Sequence, residues 1–141
     1  MTRACAIASL TILGLTVSHS PAQELPLPEA LTTAKTAVVV NDGVGQPVYE
    51  RLVEELKAWK RLSLVEDRSR ADIAILIKGE NATGINGGNG QAVRAIAYRL
   101  SFKRGDTVLY SDTLKGCCSL KAMMRKTIER LDKRLRGAKE R

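Results

Sequence analysis

Histidine is almost missing from this chain. His19 is the only one in 141 residues, and it falls inside a segment that reads as a removable leader. Without an imidazole, the remaining chain lacks the commonest general base and the commonest transition-metal ligand. Catalytic triads built on histidine are excluded, as are zinc sites that need it. Cysteine is nearly as scarce, with Cys5, Cys117 and Cys118 and no pair of spaced cysteines. A closed four-ligand zinc site or a Cys-x-x-Cys redox motif is therefore not to be expected. Aromatic residues make up 4% of the sequence and are not interleaved with the basic ones, as stacking binders of single-stranded nucleic acid require. Beyond the leader no apolar run approaches the roughly 20 residues of a membrane span.

The N-terminus carries the clearest signal. MTRACAIASLTILGLTVSHSPAQ places Arg3 ahead of a small and apolar run, Ala4 to Val17, and then small residues, Ser20 and Ala22, at the −3 and −1 positions of a cleavage site. This is the layout of a secretory signal peptide. Pro21 disfavours a cut after Ser20, so cleavage is expected after Ala22. Cys5 lies too early to be a lipoprotein cysteine. The expectation is a secreted or periplasmic protein, with residues 1–22 as signal peptide, 23–35 as a proline-containing leader that is extended up to Glu29, 36–136 as one domain and 137–141 as a basic tail.

Charge is unevenly spread. Residues 23–114 hold 12 basic and 12 acidic side chains, whereas residues 115–141 hold 10 basic and 3 acidic. The positive balance thus belongs to the C-terminal end.

Periodicity gives the elements. TAVVVN (36–41) is a β-branched run and a buried strand. NDGVGQP is a turn. From Pro47, apolar residues at Val48, Leu52, Val53, Leu56 and Trp59 form one helix face, with Glu50, Glu54 and Glu55 in the N-terminal half and Lys57, Lys60 and Arg61 near the C-terminal end, as the macrodipole favours. Leu62–Glu66 is a short strand, and Ala71–Lys78 a central one. Residues 79–92 read as a polar, glycine-rich loop. Ile96, Tyr98, Leu100 and Phe102 alternate, and a turn at KRGDT returns the chain through TVLYSDTL, which predicts a hairpin. Leu120, Met124, Ile128, Leu131 and Leu135 stripe a final helix, capped by Ser119 and ended by Gly137. The order β-α-β-β-β-β-α predicts a two-layer α/β sandwich, with about five strands in a mixed sheet and two helices on one face.

The path from TAVVVND through VYERLVEELKAWKRLSLVED to RADIAILIKG, then a hairpin and a final helix, resembles small exported bacterial envelope domains. It is similar in layout to the amino-terminal domain of the TolB translocation protein and to LpoB-like lipoprotein domains. The resemblance spans roughly residues 36–136 and implies an envelope accessory or interaction module without catalytic residues.

Candidate sites are few. Cys117 and Cys118 are adjacent, and export favours their oxidation. They could form a vicinal disulfide, bridge two chains, remain thiols at a helix N-terminus, or bind a soft metal ion. The last helix carries Lys121, Arg125, Lys126, Arg130, Lys133, Arg134 and Arg136 on its polar face, a surface able to meet anionic headgroups, although a solvated outer face is the plainer reading. GINGGNG (84–90) opens a strand, not a helix, and lacks the Gly-Lys-Ser/Thr ending of a phosphate loop. Asn81-Ala82-Thr83 is a formal glycosylation acceptor. Arg104-Gly105-Asp106 spells an adhesion tripeptide, but Gly-Asp is also what a tight turn wants. The carboxylates of Glu66, Asp67, Asp72, Asp106 and Asp112 suggest no acid–base pair, and Asp42 and Asp67 lie near strand ends, where α/β sheets bind ligands.

The expected function is therefore an exported, non-enzymatic envelope interaction domain, with no cofactor and with an envelope protein or anionic surface as partner; nucleic acid is not expected. The alternatives are a thiol redox or soft-metal protein using Cys117 and Cys118, and an electrostatic binder acting through the basic helix.

Overall fold

Val38–Val40 and Ile73–Ile77 are the most strand-prone stretches of the chain, and they become neighbouring strands at the middle of one sheet. The computed structural model describes residues 26–85, 92–114 and 119–140. In chain order it has a single helical turn α1 (Glu29–Thr32), β1 (Thr36–Asp42), α2 (Gln46–Trp59), β2 (Ser63–Leu64), a 3-10 turn (Arg68–Arg70), β3 (Ile73–Ile85), β4 (Ala92–Arg104), β5 (Thr107–Leu114) and α3 (Leu120–Lys139). The strands form a mixed sheet in the order β2-β1-β3-β4-β5. β1 runs parallel to both β2 and β3, and the other pairs are antiparallel. This is the α/β sandwich expected from the periodicity, with helices packed on the sheet.

Strand alternation sends Ala37, Ile73, Ile75, Ile77, Leu100 and Phe102 to the helix side. There they meet Leu52 and Leu56 of α2 and Met124, Ile128, Leu131 and Leu135 of α3 in one core. Pro47 sits in the first turn of α2, where a missing N–H costs nothing. Lys60 ends that helix at φ 57, in the left-handed region that closes many helices. The Ser119 hydroxyl accepts from the Ala122 N–H at 3.3 Å, so the predicted N-cap of α3 forms.

Four expectations need correction. The polar stretch 79–85 is strand, not loop. β1 stops pairing with β3 at Lys78, and β5 stops pairing with β4 at Tyr98, so among the described residues β3 and β4 pair only with each other from Glu80↔Ala97 down to Ile85↔Ala92. A two-stranded ribbon of this kind requires no apolar face, so its composition does not look like that of a strand. Residues 86–91 lie outside the described residues. The extended stretch ends before Glu29 rather than at it, because α1 starts there and inserts Leu31 into the core, followed by Ala34. β2 pairs over two residues rather than five. Finally, α3 continues through Gly137 to Lys139.

β3 is pinned to β1 at its start. The Asp72 Oδ2 accepts the N–H groups of Lys35 and Thr36 at 2.9 and 3.0 Å, while the Asp72 N–H donates to the Thr36 hydroxyl at 2.9 Å. The backbone bond from Lys35, then those from Thr36, with a smaller contribution from the Arg104 charge, hold the Asp72 carboxyl below the usual carboxylate range. A depressed folded-state pKa stabilises the fold above the unfolded-state value, about 3.9 for aspartate, and that stabilisation is lost as pH falls through the folded value. Asp72→Asn is therefore expected to destabilise the protein near neutrality, with the gap to wild type closing below about pH 4. Urea midpoints measured across that range check this, and a gap that stays constant into acid would refute it.

Candidate functional site

β2 is short because of where the chain must go next. β2 and β3 lie on opposite sides of β1, so the connection has to leave the sheet edge and cross. It leaves after Val65, whose N–H donates to the Ala37 carbonyl at 2.9 Å. Asp67 then turns the chain by accepting the Ser69 N–H and hydroxyl at 2.9 and 2.8 Å. These two bonds, hydroxyl first, hold its carboxyl below the usual range.

The early departure leaves most of β1 without a neighbour on that side. Ala37 turns its backbone groups toward β2, so by alternation Val39 and Asn41 do the same. Among the described residues the N–H groups of Val39 and Asn41 have no hydrogen-bond acceptor there. The Val39 carbonyl accepts only the Tyr49 hydroxyl, at a long 3.3 Å. Beside this edge, between β1 and α2, lies a cavity of about 340 Å³. Tyr49, Val53 and Leu64 give it apolar walls, and Lys57 and Glu66 bring one charge of each sign. At its far end the Asn41 side chain ties off the turn, with Nδ2 donating to the Val44 carbonyl at 3.0 Å and Oδ1 accepting the Val44 N–H at 2.8 Å.

The other sheet edge is built differently. Between the pairs Phe102↔Tyr110 and Lys103↔Val108, β5 carries one extra residue, Leu109. This bulge lets both Leu109 and Tyr110 pack against the core. Bulges of this kind twist an edge and discourage strand addition. The β1 edge, in contrast, shows no register shift.

The residues singled out from sequence are dispersed. Cys117 and Cys118 lie outside the described residues, as do residues 1–25 and 86–91. On α3, three arginines attach the helix to the rest of the fold. Arg125 lies 3.4 Å from Glu55 of α2, Arg130 2.7 Å from Asp112 of β5, and the Arg134 guanidinium stands 5.5 Å from the centre of the Tyr110 ring, whereas Arg136 pairs within the helix, 2.7 Å from Asp132. Lys121, Lys126 and Lys133 are exposed and form no ion pair among the described residues. Asp112 also accepts the Tyr110 hydroxyl at 3.2 Å. Burial first, then the Asp112 charge, pushes the Tyr110 pKa up. Arg104-Gly105-Asp106 forms the β4–β5 turn. Gly105 has φ 58 and Asp106 does not share that sign, the pattern of a tight hairpin turn with glycine first. Asp42 ends β1 exposed to solvent. The groove residues Tyr49, Val53 and Leu64 were not recognised as a site in the sequence. The one hint there was Asp67-x-Ser69, turn chemistry that follows too soon for a full-length β2.

No family model matches the chain, and no curated protein matches it. Among solved structures it is similar to a PelC dodecamer from Paraburkholderia phytofirmans, at 18% identity over 72% of this chain and 86% of that one, with a TM-score of 0.40. Among the described residues no helix is long and apolar enough to cross a membrane.

Proposed function

We propose that this chain is an exported, non-enzymatic interaction domain of the cell envelope, and that it holds an extended segment of a partner protein along the open edge of β1. The observation that carries the reading is that edge, where the N–H groups of Val39 and Asn41 lack acceptors among the described residues, beside a groove of mixed apolar and charged lining. Strand addition uses such an edge, with main-chain bonds supplying affinity and pockets for alternate side chains supplying selectivity. The occupant is a strand with apolar residues at every second position, set down on Tyr49, Val53 and Leu64. Each main-chain bond nets about 0.5–1.5 kcal/mol, so a few of them with one filled groove correspond to roughly micromolar binding. The signal-like first 22 residues support the location.

The test is a photocrosslinker at Val53 in intact envelopes, on a chain whose intact mass begins at Gln23. The crosslinked partner segment should alternate apolar residues. As a synthetic peptide it should slow exchange of the Val39 and Asn41 amide protons. Val39→Pro removes an N–H that bonds nothing among the described residues, and edge strands tolerate proline. It should weaken the peptide about two- to tenfold and leave the fold intact. Peptide binding undiminished by Val39→Pro, or exchange protection elsewhere, would sink the proposal.

A further inference from the structure

Glu55 breaks the pattern of its own helix. It follows Leu52 by three positions and precedes Leu56, both fully buried, and its side chain is only 7% exposed. An apolar residue is the expected occupant of such a position. Burying a carboxylate costs several kcal/mol unless it is well paired, yet its one partner among the described residues is the Arg125 Nε, 3.4 Å from Oε2. The other oxygen, Oε1, has no partner. It is not sealed in, because among the described residues every sealed side-chain oxygen or nitrogen has one. Glu55 lines the trough between α2 and α3, a space of about 320 Å³ that it shares with Ala58, Trp59, Arg125, Ile128, Glu129 and Asp132. Glu129 forms no ion pair among the described residues. Asp132 is occupied, with Oδ1 accepting the Trp59 Nε1–H at 2.9 Å and Oδ2 lying 2.7 Å from Arg136.

We propose that this trough binds an organic cation, with an alkylammonium or guanidinium head on Glu55 Oε1 and an aliphatic stem along Ile128 and the Trp59 indole. The carboxylate supplies the charge-assisted bond, Glu129 adds to the negative potential, and the indole face attracts a cation. Arg125 keeps Oε2, so the entering head completes the pairing of Glu55 without displacing it. A free diamine and a basic side chain of a partner polypeptide share this chemistry. The site stands apart from the β1 groove and does not depend on the strand-binding reading.

Trp59 is the only tryptophan in the chain, so its fluorescence reports on the trough directly. The intact protein is titrated with cadaverine and, separately, with a short lysine-containing peptide, against sodium chloride at matched ionic strength. A saturable change with either probe is expected, weakened at least about tenfold by Glu55→Gln. Ala58→Lys, at an exposed position, places an ammonium of the chain's own in the trough and should abolish binding even if Glu55→Gln fails to fold. Cadaverine alone binding identifies a free amine as the ligand, and tighter peptide binding identifies a partner's side chain. A change reproduced by salt, a response untouched by both substitutions, or no response to either probe overturns the proposal.

Discussion

Phe102→Ala is expected to cost about 3–5 kcal/mol, the usual range for emptying a fully buried aromatic site. Phe102 is the only phenylalanine in the chain and is 0% exposed. It sits in β4 opposite Tyr110 of β5, with ring centres 5.9 Å apart and planes at 63°, an edge-to-face pair. Such pairs add about 0.5–1.5 kcal/mol beyond the area they bury. Tyr110 in turn lies under the Arg134 guanidinium and donates to Asp112, which holds Arg130. Removing the Phe102 ring therefore loosens the surface on which α3 rests, and not only the β4–β5 pair. Natural domains are stable by about 5–15 kcal/mol in total, so the loss is a large share. Urea denaturation measures it directly. Phe102→Leu keeps most of the volume and should cost under about 1.5 kcal/mol. If the two variants were equally destabilised, the loss would come from the aromatic pair and not from the cavity. A loss under about 1 kcal/mol for the alanine variant would mean that the core collapses around the site.

Long-period elements were legible in the sequence, and features set by neighbours were not. The Val48–Trp59 face, the alternation of Tyr98, Leu100 and Phe102, and the Ser119 cap each encode their structure within one local pattern, and each forms as read except that Val53 leaves the helix face for the groove beside β1. The ribbon beyond Gly79 was illegible because strand signals record burial, and this ribbon lies beyond the ends of β1 and β5. α1 was hidden because one helical turn has no period, and only its contact with the core gives Leu31 a purpose. The candidate groove had the same difficulty. Nothing in LSLVED says that pairing will stop at Leu64, since that follows from the route the chain must take around β1 to reach β3. Glu55 looks like an ordinary helix charge placed for the macrodipole, and its burial comes from α3, some seventy residues later.

Asp132→Ala should show how much of the α2–α3 contact rests on one partly buried carboxylate. Its side chain is 17% exposed and meets three groups: the Trp59 Nε1–H at 2.9 Å, Arg136 at 2.7 Å and Arg61 at 4.0 Å. The indole bond matters most. A hydrogen bond to a charged group contributes about 1.5–3 kcal/mol, and removing the acceptor leaves a half-buried indole N–H unsatisfied. The arginines contribute less, because they reach solvent and can rehydrate; Arg136→Ala, at a side chain 76% exposed, should cost under about 1 kcal/mol. The expected loss for Asp132→Ala is therefore about 2–3 kcal/mol, with a red shift in Trp59 emission as the ring gains water. Trp59→Phe supplies the other side of a double-mutant cycle, and contacting partners couple by about 0.5–3 kcal/mol. If the cycle closes with no coupling while both single variants are destabilised, the contact is carried by packing among Leu52, Leu56, Ile128 and Leu131, and Asp132 serves chiefly to hold Arg61 and Arg136 at the surface.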